Sequence, residues 1–129
     1  MLSDADSHAI TSELTARALA SEWVVLAGSL PRGVNTDWYC DLISAVRAAA
    51  PQARIAVDTS DAPMQAIGEN LNSAAPDLIK PNGLELGQLT GTDGRELEDQ
   101  AARGEYSEVV RAARDVVKQG IAEVLVTLG

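Results

Sequence analysis

WVVLAGSLPRGVNTDWYCDLISAVRAAAPQARIAVD, Trp23 to Asp58, changes its hydrophobic period twice. WVVLA (Trp23–Ala27) is a short continuous apolar run closed by Gly28, a pattern that predicts a strand buried on both faces. Thr36 to Ala49 then places Trp38, Leu42, Ile43 and Val46 on one side of a helix, and Pro51 lies just past its end. RIAVD (Arg54–Asp58) returns to the strand pattern. Strand, helix and strand in succession make a βαβ unit, the building block of a parallel sheet.

The same alternation extends in both directions. Asp6 to Ala20 sets Ile10, Leu14 and Ala18 at helical spacing and reads as an amphipathic helix. Beyond Asp58, Met64–Leu71 is a weaker helix containing Gly68, and DLIK (Asp77–Lys80) is a short third strand. Leu84–Leu89 and Arg95–Arg103 are brief helices separated by the turn signal GTDG. Tyr106–Gln119 is the clearest helix, with Val109, Val110, Ala113, Val116 and Val117 on its inner stripe and Gly120 as its stop. EVLVTL (Glu123–Leu128) is the fourth strand. The expected class is therefore α/β: a parallel sheet covered by helices on both faces and joined by right-handed crossovers. In such a sheet the loops after the strands collect along one edge, where ligands bind. Four unusual segments follow strands here: GSLPRG, DTSD, KPNGLE and TLG.

Composition narrows the function. The 129 residues are 46% hydrophobic, enough for one real core. Ten basic and nineteen acidic side chains leave a net charge of −9, which disfavours nucleic acid as a partner. No apolar run approaches the about 18 residues of a membrane span, and MLSDADSHAI lacks the marks of a signal peptide, so a cytoplasmic protein is expected. The single cysteine, Cys40, excludes an internal disulfide and reads as a helix residue. His8 has no companion ligand nearby, and Trp38 and Tyr39 are assigned to packing.

The candidate site residues each have an ordinary structural use. Gly28 and Ser29 could let a backbone and a hydroxyl approach a ligand, or simply form a strand-to-helix turn. In DTSD, Ser60 or Asp61 could cap the next helix, and that use is favoured over ligand binding. Asn82-x-x-Glu85 matches a capping box, an asparagine N-cap with a carboxylate three residues on. Lys80 is harder to absorb: a lysine ending an apolar strand must reach solvent, a carboxylate or a phosphate, and Pro81 fixes the chain direction after it.

Taken in order, VVLAGSLPRGV (24–34), VDTSDAPM (57–64), LIKPNGLELGQLTG (78–91) and VLVTLG (124–129) closely resemble the ribokinase-like sugar kinases of the phosphofructokinase-B type. Within that family the motifs look most like the branch of 1-phosphofructokinase and tagatose-6-phosphate kinase. The resemblance implies ATP-dependent phosphorylation of a sugar phosphate, with magnesium. It places Gly28 and Ser29 at the sugar, Lys80, Asn82, Thr127 and Gly129 at the nucleotide, and Glu85 with Asn82 at the metal, largely through water. It also implies that residues 1–129 are the central segment of a longer kinase domain. The sugar-binding and lid half would precede them, and the anion hole with the catalytic base would follow Gly129. On that expectation the segment is inactive alone, and its exposed sheet edge is a place for self-association. Two other uses of the fold stay open: a receiver-like phospho-acceptor module centred on Asp58 and Lys80, and a non-catalytic interaction module.

Overall fold

A computed structural model describes residues 1–129. A helix α1 (Asp4–Ala18) leads into β1 (Trp23–Ala27), followed by α2 (Trp38–Ala49) and β2 (Arg54–Asp58). Then come α3 (Asp61–Glu69), α4 (Leu71–Ala74), β3 (Leu78–Ile79), α5 (Gly83–Thr90), α6 (Gly94–Ala102), α7 (Ser107–Lys118) and β4 (Glu123–Val124). The four strands form one parallel sheet in the order β1-β2-β3-β4.

That order determines where the helices go. Right-handed crossovers between strands laid down in one direction carry every connecting helix to the same face. Burial agrees. Val24, Leu26, Ile55, Val57 and Ile79 point into a core shared with Ile43 and Val46 of α2, Met64 and Ile67 of α3, Leu86 of α5 and Val116 of α7. On the other face Trp23 is 41%, Val25 63% and Leu125 55% exposed. The α/β class with a parallel sheet thus stands as expected, but in this chain the second face is open, and β1 is buried on one face only. A run of apolar residues cannot reveal this, because a face that awaits a cover is as apolar as one already covered.

Other differences have local causes. Pairing in β4 is named only over Glu123–Val124, yet Leu125 N–H donates to Ile79 O (2.9 Å) and Thr127 N–H to Pro81 O (3.0 Å). Pro81 has no N–H to return, so the ladder becomes one-sided there and survives as an isolated bridge between Asn82 and Thr127. In α7 the buried line is Val109, Ala112 and Val116, whereas Val110 and Val117 are about two-fifths exposed and flank a groove with Val124, Val126 and Leu128. In α1 only Ala18 is buried; Ile10 is exposed, and the helix is fixed instead by a capping box between Ser3 and Asp6.

At the edge of the sheet away from the ligand loops, one carboxylate sets the spacing of β2, β3 and α2. Asp77 Oδ2 accepts hydrogen bonds from Ile55 N (2.7 Å) and Arg47 Nη2 (2.8 Å), and the same guanidinium reaches Ala75 O (3.0 Å). No helix is long and apolar enough to cross a membrane.

Cys40 is buried on the inner face of α2. Burial first, then the nearby charges of Asp37 and Asp41, pushes its thiol up to about 11. Such a value leaves roughly one thiol in a thousand ionised at pH 8. The folded protein should therefore resist a thiol-specific reagent at pH 8 and react fully only after unfolding in urea, as followed by mass spectrometry.

Candidate active site

The loops after the strands meet at one cavity of about 350 Å³, lined by Gly28, Ser29, Asp58, Thr59, Ser60, Lys80, Asn82, Glu85 and Thr127. No lining residue is hydrophobic. A wholly polar bowl at the carboxyl ends of parallel strands suits a charged, hydrated ligand rather than an apolar one.

The floor is built by hydrogen bonds between the first two loops. Gly28 N–H donates to Asp58 O (2.9 Å), and the Gly28 carbonyl accepts from both Thr59 Oγ1 (3.0 Å) and Tyr39 Oη (2.9 Å). Gly28 adopts φ +96°, a left-handed conformation that favours glycine whatever the surrounding space. Burial raises the Tyr39 phenol above its ordinary value, so its hydroxyl keeps the proton it donates. Tyr39 is thus more than packing: it anchors the turn that presents Ser29.

Lys80 finds the carboxylate its position demands. Its Nζ lies 3.1 Å from Asp58 Oδ2, with the two side chains 39% and 49% exposed. An ion pair this open is worth no more than about 1 kcal/mol, so an incoming phosphate can take the lysine at small cost. Asn82 and Glu85 form the expected capping box: Glu85 N–H donates to Asn82 Oδ1 and Asn82 N–H to Glu85 Oε2, both at 2.8 Å. Only one oxygen of Glu85 is used this way, the other has no partner within the protein, and the residue lines the cavity.

Of the residues singled out from the sequence, Gly28, Ser29, Lys80, Asn82, Glu85 and Thr127 line this cavity together. Gly129 does not. It lines a neighbouring hollow with Glu98, Tyr106 and Leu128, since two residues of extended chain carry it about 6 to 7 Å past Thr127. Asp58, Thr59 and Ser60 join the site although the sequence favoured a capping role for this loop. Ser60 makes no side-chain cap bond to α3, and Asp61, the first residue of that helix, has φ +53°. The signal that could have found them is position: DTSD follows a strand, as the other three segments do.

The pfkB family carbohydrate kinase model matches residues 2–129. The chain belongs to the pfkB family of carbohydrate kinases. It is 39% identical over 127 residues to 1-phosphofructokinase of Rhodobacter capsulatus, covering 98% of this chain and 35% of that protein. It is 34% identical over 108 residues to 1-phosphofructokinase of Escherichia coli, covering 84% of this chain and 30% of that one. Among solved structures, phosphofructokinase-2 of Escherichia coli in complex with fructose-6-phosphate superposes with a TM-score of 0.69 at 28% identity, over 99% of this chain and 38% of that one. A mutant of the same enzyme superposes with a TM-score of 0.73 at 27% identity, over 99% and 37%. The chain thus spans about a third of the length of the curated relatives it matches.

The Thr59 hydroxyl is the buried link between the β1 and β2 loops. Thr59→Val keeps the shape and removes the bond. Urea unfolding should show a loss of about 1 kcal/mol. An unchanged midpoint would mean that the Tyr39 hydroxyl and the Gly28 N–H bond to Asp58 hold the turn without Thr59.

Proposed function

We propose that the intact protein transfers a phosphoryl group from ATP to a sugar phosphate of the fructose 1-phosphate or tagatose 6-phosphate class. The observation that carries this reading is the polar cavity in which the Lys80-Pro81-Asn82-x-x-Glu85 segment faces the Gly28-Ser29 turn. The likeness to 1-phosphofructokinases favours the 1-phosphate among possible sugars.

Phosphoryl transfer asks a protein for charge neutralisation and alignment more than for covalent chemistry. Lys80 moves from Asp58 to the phosphate oxygens, exchanging one open ion pair for another. Gly28 and Ser29 hold the sugar, the serine by one hydrogen bond. Asn82 and Thr127, tied by their bridge, fix the nucleotide side of the cavity, and Gly129, in the neighbouring hollow, would meet the nucleotide beyond the rim. The donors present fit magnesium, being carboxylate and amide oxygens with no sulfur or imidazole among them. No three acidic, histidine or cysteine side chains converge. Magnesium would therefore be held by Glu85 and Asn82 through its own waters, and when bound it neutralises phosphate charge.

The sheet order supports this reading over a receiver-like module. Flavodoxin-like receivers run 2-1-3-4-5 with a reversal beside the first strand, whereas these strands run in chain order. Self-association through the open face or an edge of the sheet belongs to the same proposal, motivated by the exposed Trp23, Val25 and Leu125.

Coupled assays of the intact protein with ATP, magnesium and either fructose 1-phosphate or tagatose 6-phosphate test the activity, and absence of turnover with both sugar phosphates would refute it. Glu85→Gln should lower turnover and raise the magnesium requirement with little change in stability. Equal losses of stability and activity would assign Glu85 to capping alone. Ser29→Ala should raise the KM for the sugar phosphate by roughly tenfold, in line with one lost hydrogen bond, and leave that for ATP nearly unchanged. An equal change in both constants would place Ser29 in a turn without substrate contact.

A further inference from the structure

We infer that Glu98, on α6 and outside the cavity, is the positioning residue that keeps Glu85 available to the metal side of the site. The inference rests on the magnesium role proposed for Glu85. Glu98 is brought to α5 by an unusually close helix contact. A Cβ added to Gly87 would lie 2.5 Å from Gly94 N and 2.7 Å from Thr92 O, and one added to Gly94 would lie 2.6 Å from the Cα of Leu84. The two backbones therefore touch without intervening side chains. The start of α6 is fixed by Asp93, whose Oδ1 accepts from Arg95 N (3.0 Å) and Glu96 N (3.3 Å), and Leu97 beside Glu98 is buried in the core.

From this fixed helix Glu98 Oε1 accepts the Gly83 N–H at 2.8 Å, at the first residue of α5. A Cβ at position 83 would come within 2.6 Å of that oxygen and 2.8 Å of the Glu98 Cγ, so glycine is what lets the carboxylate in. At the start of α5 four N–H groups then have internal acceptors, and that of Leu84 is left free. Asn82 N–H goes to Glu85 Oε2, Gly83 N–H to Glu98, Glu85 N–H to Asn82 Oδ1 and Leu86 N–H to Asn82 O.

The consequence concerns Glu85. Helix N-terminal N–H groups attract carboxylates, and Glu85 already gives one oxygen to the N-cap. With Glu98 absent, the unpaired Gly83 N–H competes for the second oxygen and draws it from the cavity to the helix end. Glu98 removes that competition. It lies outside the cavity and acts on Glu85 through α5.

Three variants of the intact protein test this, each read by Gly83 amide exchange in metal-free protein and by the magnesium and sugar-phosphate dependence of the rate. Glu98→Ala should speed Gly83 exchange about tenfold or more and raise the magnesium needed for half-maximal rate about tenfold, with the sugar-phosphate KM unchanged. Glu98→Asp keeps the charge but falls short of Gly83, so it should behave like the alanine variant. Glu98→Gln retains an accepting oxygen and should recover most of the native behaviour. If the alanine variant does not fold, the contrast between aspartate and glutamine decides. Faster exchange with an unaltered magnesium requirement would overturn the inference by making Glu98 a helix cap only. If Glu85→Gln shifts the magnesium requirement and Glu98→Ala does not, this inference falls and the proposed function stands. If neither does, the metal role of Glu85 falls and takes this inference with it.

Discussion

The handedness of the parallel crossover governs this molecule. Each strand must be followed by a connection that returns to the same end of the sheet, and the right-handed return is the one that packs. Because β1 to β4 are laid down in chain order, the rule places all the connecting helices on one face and all the ligand loops on one edge. The paired registers Ala27 with Asp58 and Val57 with Ile79, continued by the bridge between Asn82 and Thr127, bring the four loops to a common level. The cavity is the space between them. The open face bearing Trp23, Val25 and Leu125 is the other product of the same rule.

Polar groups at the cavity serve structure and chemistry together. The Gly28 carbonyl spends both lone pairs on Thr59 and Tyr39, so the turn that presents Ser29 is held from two elements at once. Asp58 uses its backbone carbonyl to hold Gly28 and its side chain to hold Lys80. Glu85 caps its own helix with one oxygen and at the same time lines the cavity. Buried side-chain polar atoms are all partnered, so the rigidity of the rim carries no desolvation debt below it. The Lys80–Asp58 pair is the open one, its two side chains 39% and 49% exposed and its bond correspondingly weak.

How much of this was legible depended on the distance over which each feature is decided. The apolar runs of β1 and β2 have the bounds their sequences predict, because a run ended by Gly28 or by Asp58 is a local signal. The Asn82–Glu85 box was legible for the same reason, its partners lying three residues apart. In α7 the spacing identified a helix but not which of two adjacent apolar lines, Val109–Val116 or Val110–Val117, faces the core. The role of Tyr39 depends on a carbonyl 11 residues away and that of Glu98 on an amide 15 residues away. Neither partner is marked by local pattern.

The sequence by itself determined the alternation of strands and helices, the parallel sheet, and the order of the segments that close each strand, since these follow from hydrophobic period and from glycine and proline punctuation. The tertiary structure alone decided which face of the sheet is covered and that Asp58, Thr59 and Ser60 join the site. It also decided that Gly129 lies beyond the rim and that Lys80 rests on Asp58. The physical reason is that local periods report the faces and ends of single elements. The register between strands and the approach of α6 to α5 arise only when distant segments share one core and must satisfy each other's backbone.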